Sequence, residues 1–353
     1  MRIDELDTPV LVINLDALEE NLKRYHGYFK KHGIGFRPHI KTHKTLAVAH
    51  MQLKHGAIGL TCQKLGEAEV LAAGGIDTDL LIPYNIMGAQ KLDRLTALAK
   101  RLPITLAPDS EFTVRGLSRA AACGGVSIGI LIEVEMGFER TGVPTPQEAA
   151  DLAKLVLDLP GLELRGFMGF PTPPDSRPLI QETIDLFDRA GLPRDVVSGG
   201  GTPHALDAHK IPELTEYRAG EYPVGGAMHL AEGRHTVDQC ALRVITTVVS
   251  RPTGDRMFLD AGSKSLSASV YKTERGDSMG HIVEYPDALI GVASEEHGHV
   301  DISQCPVKPE IGERVQVLPV HPCPCVNEHD VMVATRNGMV EATWPVHARG
   351  RIR

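Results

Sequence analysis

The sequence predicts an α/β fold, a (β/α)8 TIM-type barrel followed by a C-terminal all-β domain, on three observations. Short apolar runs alternate with helix-period segments from residue 9 to residue 222. Eight strand-like runs within about two hundred residues suit a closed barrel better than an open sheet. Beyond residue 236 the helical period stops, and β-branched runs succeed one another directly.

Taken in order, residues 9–14 read as a strand and 15–31 as a helix. This pair precedes the barrel repeat, and its strand can pair elsewhere. The barrel strands are expected at 35–39, 58–62, 80–84, 104–107, 128–133, 164–170, 196–198 and 217–222. Short continuous apolar runs are buried on both faces, as in a parallel sheet covered by helices. Segments 45–53, 66–73, 90–100, 146–158 and 180–190 carry apolar residues three and four apart and supply those helices. In the C-terminal part, 242–249, 257–259, 315–320, 331–335 and 339–342 read as strands. Asn337-Gly338 joins the last two, and Asn-Gly suits a type I′ hairpin. The expected division is a barrel over 9–236 and a β domain over 237–353, which residues 1–8 can join.

With 42% apolar and 23% charged residues, the composition is that of a soluble globular protein. A net charge of -8, with no basic run longer than 37–44, argues against a nucleic-acid surface. No apolar stretch is long enough to span a bilayer. Asp4, Glu5, Asp7, Asp16, Glu19 and Glu20 make the start of the chain unlike a signal peptide. Of the six cysteines, Cys62, Cys123, Cys240 and Cys305 are scattered singly, as reduced cytosolic thiols are. A cytoplasmic protein with a small-molecule partner is the expectation, with neither nucleic acid nor membrane.

Chemistry is concentrated in three places. Arg37-Pro38-His39-Ile40-Lys41-Thr42-His43-Lys44 lies where the first barrel strand gives way to a helix. A lysine there, partly desolvated and crowded by cations, has an amine suited to Schiff-base chemistry; a solvated basic turn is the alternative. Active sites of this fold lie at the C-terminal ends of the strands. The next ends carry Gln63, Tyr84-Asn85, Asp109, the segment from Glu133 to Arg140, Phe170-Pro171-Thr172, Gly199-Gly200-Gly201-Thr202 and Tyr222. The glycine triplet closes the seventh strand before a short helix from Pro203, an arrangement that suits a phosphate. Third, His321 and Cys323 end a strand of the β domain, where an extended His-x-Cys puts both side chains on one face. Imidazole with thiolate suits zinc or another borderline-soft cation. Cys325, His329 and Asp330 lie close by, and Glu296-His297 form a separate cluster. A Pro-rich turn with incidental sulfur is the plain alternative.

At these residues the chain resembles the pyridoxal-phosphate enzymes of the alanine-racemase-like barrel, specifically the D-threonine aldolase and D-serine dehydratase group. The matching segments are Asp7-Thr8-Pro9, 37–44, Cys62-Gln63-Lys64, Glu133-Val134-Glu135 through Arg140-Thr141-Gly142, and Gly199-Gly200-Gly201-Thr202. Further on come Asp260-Ala261-Gly262-Ser263-Lys264, Glu296-His297-Gly298, His321-Pro322-Cys323-Pro324 and Asn327-Glu328-His329-Asp330. They run in order over nearly the whole chain. The resemblance implies pyridoxal 5'-phosphate on Lys41 as an internal aldimine, Arg140 facing the pyridine nitrogen and Gln63 at the cofactor ring. It places the phosphate at Gly199, Gly200, Gly201 and Thr202, with Tyr222 a further partner. It also implies a divalent metal (Zn, Mn or Mg) on His321 and Cys323, a homodimer, and a lyase acting on a D-β-hydroxy amino acid.

Two departures bear on the substrate. Members of the group often carry Tyr and His after the sixth strand, where this chain reads Phe170-Pro171-Thr172. Cys323 at the second metal position is more like the dehydratases. An aldolase and a dehydratase therefore both stand, beside two alternatives: an amino-acid racemase on the same fold, which needs no metal pair, and a non-catalytic carrier of the cofactor.

Overall fold

A computed structural model describes all 353 residues. The chain forms two compact units. Strand β1 (Val10–Asn14) and helix α1 (Leu15–His32) open it.

One unit comprises Arg24–Lys41, Leu46–Gly220 and Arg351–Arg353. Its strands are β2 (Gly35–Phe36), β3 (Leu60–Thr61), β4 (Leu80–Ile82), β5 (Ile104–Leu106), β6 (Ile128–Glu135), β7 (Leu162–Phe170), β8 (Val196–Gly200) and β9 (Glu216–Arg218). They form one parallel sheet in the order β2-β9-β8-β7-β6-β5-β4-β3. A parallel bridge between His39 and Thr61 closes the remaining seam. Ile40 N–H donates to the Thr61 carbonyl (2.9 Å) and Thr61 N–H to the Pro38 carbonyl (2.8 Å). The expected (β/α)8 barrel is thus a closed ring. Helices Leu46–Lys54, Leu65–Ala73, Ala89–Ala99, Glu111–Gly124, Pro146–Leu157 and Arg177–Arg189 follow β2 to β7, and a 3₁₀ helix, Thr202–Lys210, follows β8.

Local chemistry sets these boundaries. Thr145 caps Pro146–Leu157 by accepting the Glu148 N–H (3.2 Å), with Pro146 pre-set for the first turn. Gly125, at φ 64°, ends Glu111–Gly124 in the left-handed conformation that costs glycine least. Leu81, Ala107, Leu131 and Met168, at the successive neighbouring strands β4 to β7, form one apolar cluster of the barrel.

The other unit comprises Met1–Lys23, Thr42–Thr45 and Glu221–Gly350. Its main sheet has nine strands. Strand β1 pairs antiparallel with Leu242–Thr253 (Val10 opposite Ile245) and parallel with Val331–Arg336 (Val12 opposite Val333). This is the pairing outside the barrel that the sequence left open. Met339–Pro345 pairs back on Val331–Arg336, and Asn337 (φ 50°) and Gly338 (φ 72°) have the positive angles of the expected type I′ turn. Tyr271–Thr273, Gly276–Ser278, Gly280–Ile282 and Gly298–Asp301 are strands that the apolar pattern missed, since glycine, serine and charge dilute them, and Leu289–Ala293 is a short apolar strand that the sequence reading passed over. No helix is long and apolar enough to cross a membrane.

Candidate active site

Within the barrel unit the run from Arg37 to Lys41 continues the β2 direction, so every second side chain faces inward. Arg37 sits deepest, its guanidinium on Glu216 (2.9 Å) and Asp79 (3.1 Å). His39 comes next, its Nε2 3.0 Å from Gln63 Oε1, while its Nδ1 accepts the Lys41 N–H (3.3 Å). With Nδ1 accepting, the Nε2–H tautomer donates to Gln63 and fixes that amide. Lys41 follows, partly exposed, with Nζ 5.8 Å from the centre of the Phe170 ring. Arg140 lies over the same ring at 4.8 Å. The face of Phe170 thus gathers the two cations assigned from the sequence, a cation–π arrangement.

Arg140 rides on a loop tied by carboxylates. Glu135 accepts the N–H groups of Gly137 (2.8 Å) and Phe138 (2.6 Å). Asp109 accepts from Gly142 N–H (3.2 Å) and from Asn85 Nδ2 (3.0 Å), and Glu133 accepts from Thr141 Oγ1 (3.1 Å). Burial raises the Glu133 carboxyl to about 6 and Asp109 adds to it, against the opposing pull of Thr141, Arg218 and Arg140. A raised folded-state value means that the stability Glu133 provides is complete below its ordinary 4.5 and is lost as pH rises through about 6. Glu133→Gln is therefore expected to stabilise the protein by about 2 kcal/mol at pH 7.5 and by little at pH 4.5. Denaturant melts of both proteins at the two pH values check this, and an equal gain at both contradicts it.

The glycine triplet works differently from the expectation. Gly200 N–H donates to Thr172 Oγ1 (2.8 Å) and Gly201 N–H to the Arg218 carbonyl (2.8 Å), so both donors are committed. What the triplet supplies is room. A Cβ on Gly199 would lie 2.8 Å from Thr172 Oγ1, and one on Gly200 2.9 Å from the Arg218 guanidinium; Gly201 holds φ 123°. The turn then leads into the 3₁₀ helix that Thr202 begins. Tyr222 belongs to the other unit, with its side chain wholly buried.

In that other unit His321 Nε2 lies 2.7 Å from Glu221 Oε1, and Cys323 Sγ lies 3.4 Å from the same oxygen. The three donor atoms are all within 4.8 Å of one another. The segment is not extended through Cys323, as the sequence suggested: Pro322–Glu328 is a helix with His321 at its N-cap. Proline at the first helical position fixes φ for that turn, and the turn rather than strand alternation brings the imidazole and thiol together. Cys323 Sγ also lies 3.1 Å from Thr42 Oγ1. Burial works to raise the Glu221 carboxyl, but hydrogen bonds from His229 and His321 overcome it and hold the group well below the carboxylate range.

The other nearby candidates are structural. Cys325 Sγ (3.2 Å) and His329 Nε2 (2.9 Å) both meet the Ser265 carbonyl, Asp330 pairs with Arg349 (2.9 Å), and Glu296 pairs with Lys264 at the surface. Lys44 Nζ donates to Asn327 Oδ1 (2.8 Å), which makes it a pin within this unit. Sequence reasoning missed Glu221 and His229, and it gave Thr42, within the 37–44 run, no contact with Cys323. Glu221 adjoins the singled-out Tyr222, and only the fold could connect it with residues a hundred positions on.

The chain is similar to known proteins over nearly its whole length. The alanine racemase N-terminal domain family matches residues 13–227, and a putative serine dehydratase domain matches residues 241–335. A 3-hydroxy-D-aspartate aldolase of Paracoccus denitrificans is 32% identical, over 98% of this chain and 93% of its own length. The crystal structure of D-threonine aldolase from Filomicrobium marinum superposes with a TM-score of 0.88 at 30% identity, covering 99% of this chain and 97% of that one. D-threo-3-hydroxyaspartate dehydratase from Delftia sp. HT23 superposes with a TM-score of 0.86 at 26% identity, over 98% of each chain. The chain belongs to the alanine racemase N-terminal domain family, in the group that joins this barrel to a serine dehydratase-type domain.

Proposed function

We propose that the protein is a pyridoxal-phosphate- and divalent-metal-dependent lyase acting on D-configured β-hydroxy amino acids. One observation carries the reading. Cys323 of the metal pair is hydrogen-bonded to Thr42, and Thr42 is the residue next to Lys41 in the chain. A second peptide bond, from Gly220 to Glu221, likewise joins the end of the barrel strands to the metal-ligating cluster.

The residues fit both groups. For the cofactor there are a partly exposed lysine amine, an arginine over the same aromatic ring, a glutamine amide fixed by His39, and a glycine turn in which Cβ atoms would collide. For the metal there is a nitrogen and sulfur pair suited to a borderline-soft cation such as zinc. When bound, the cofactor supplies an electron sink for bonds at the substrate Cα, and the cation a Lewis acid for its β-hydroxyl.

The chain's own residues do the rest. Lys41 Nζ would hold the cofactor and exchange protons with the substrate. Arg140 would offer N–H donors to the pyridine nitrogen and so favour its unprotonated form. Gln63 would flank the ring, and Gly199, Gly200, Gly201 and Thr202 would shape the space for the phosphate. His321 and Cys323 would hold the cation. In the aldolase route the hydroxyl proton would be lost, the Cα–Cβ bond would break to release an aldehyde, and a proton would return to Cα to give glycine. In the dehydratase route Lys41 would remove the α-proton, the hydroxyl would leave as water, and hydrolysis of the resulting imine would give a keto acid with ammonia. In place of the tyrosine and histidine common after β7 in this group, the chain has Phe170-Pro171-Thr172, so a base for the hydroxyl is not supplied there.

A panel of D-β-hydroxy amino acids, assayed separately for glycine, keto acid and inverted enantiomer, tests the reading. Glycine or keto acid is expected; the inverted enantiomer alone identifies a racemase, and no turnover a carrier. Exhaustive chelation is expected to abolish turnover and a divalent cation to restore it; full activity after chelation rules out the metal. A cytoplasmic homodimer completes the proposal, and the six free thiols are in keeping with that compartment.

A further inference from the structure

We infer that Glu221 is a third protein ligand of the metal, so that His321, Cys323 and Glu221 form a three-donor site and not a pair. The inference rests on the metal reading above and extends it. Its residues all lie in one unit.

The two oxygens of Glu221 are used differently. Oε2 lies 3.1 Å from Nε2 of His229, a histidine only 3% exposed whose ring packs edge-on against His235 at 5.3 Å. Oε1 is the atom toward which both His321 (2.7 Å) and Cys323 (3.4 Å) converge. One oxygen is anchored and the other presented, as when a second residue orients a metal-binding carboxylate. Cation bonds of about 2.0–2.3 Å place ligand atoms roughly 3.2–3.6 Å apart. The sulfur–oxygen contact already has that separation, and the His321 contact needs to open only slightly.

The consequence is chemical. Two protein ligands leave a cation mostly to water and substrate, whereas three leave a tetrahedral cation a single open position. The substrate is then taken through one oxygen. A nitrogen, sulfur and carboxylate set also favours zinc, cobalt or manganese over magnesium.

Cobalt(II) titration of the chelator-stripped full-length chain tests this, reading affinity, the thiolate-to-cobalt charge-transfer band and the visible d–d bands. Glu221→Gln is expected to bind at least about tenfold more weakly, with altered d–d bands and the thiolate band retained. Glu221→Asp, which keeps the charge, is expected to fall between wild type and Glu221→Gln, and it serves if Glu221→Gln fails to fold. Wild-type affinity and d–d bands in both variants overturn the inference and leave the pair intact, provided that His321→Ala and Cys323→Ala lose binding. Absence of cobalt binding by the wild type, or a thiolate band that survives Cys323→Ala, overturns the metal reading itself.

Discussion

Replacing Lys41 by alanine is expected to leave the purified protein colourless and to lower turnover of a D-β-hydroxy amino acid on the order of a thousandfold or more. The size follows from two roles lost together, the covalent hold on the cofactor and the proton relay at the substrate, and residues that act as a unit are lost as a unit. The geometry makes the prediction specific to this lysine. Lys41 is the partly exposed one of the pair, with its amine beside the Phe170 ring that Arg140 also covers. Lys44, three positions on, is buried and bonded to Asn327. Lys44→Met is therefore expected to keep the chromophore and lose stability. Borohydride reduction followed by peptide mapping separates the two: label on Lys41 supports the assignment, and label on Lys44 or Lys64 ends it.

The 37–44 run shows how far the sequence reaches. Its position at the end of the first barrel strand was legible, because continuous apolar runs alternating with helical periods allow few other folds. That its cations divide between the two units was not. Period two sends Arg37, His39 and Lys41 to successive depths of the barrel interior, while Thr42, His43 and Lys44 belong to the other unit. A strand alternation is local and can be read; which unit a four-residue segment joins depends on Asn327 and Cys323, nearly three hundred residues away. The metal cluster divides in the same way. His321 and Cys323 are two apart and visible, whereas Glu221 meets them only through the fold. Four of the strands between 271 and 301, all but the apolar Leu289–Ala293, were invisible for another reason: glycines and charges there remove the apolar alternation on which the reading depends.

The largest stability loss is expected from Arg37→Met, at about 3 kcal/mol near neutral pH. The Arg37 guanidinium is 5% exposed and spans Glu216, which is 3% exposed, and Asp79. Its Nε also donates to Glu216 (3.0 Å), and a Cβ on Gly59 would strike the same guanidinium, so the space around it is filled. Methionine fills that volume but leaves the Glu216 carboxylate buried with its main counter-charge gone; Ser198, which donates to it at 2.7 Å, compensates only in part. The pH dependence distinguishes this cause from simple loss of packing. In the wild type, burial works to raise the Glu216 carboxyl, and Arg37 with Ser198 and Arg218 turns the balance downward. A lowered folded-state value gives stability that is present above the ordinary carboxyl range and lost as pH falls. Without Arg37 burial prevails and the sign reverses, so the variant loses stability as pH rises. The gap between the two proteins should therefore widen from pH 4 to pH 7.5 in denaturant melts. Adding Glu216→Gln to Arg37→Met should recover part of the loss, because it removes the stranded charge and keeps the shape. A gap independent of pH, or a double variant weaker than the sum of its parts, would show that Arg37 holds the barrel through packing and not through charge.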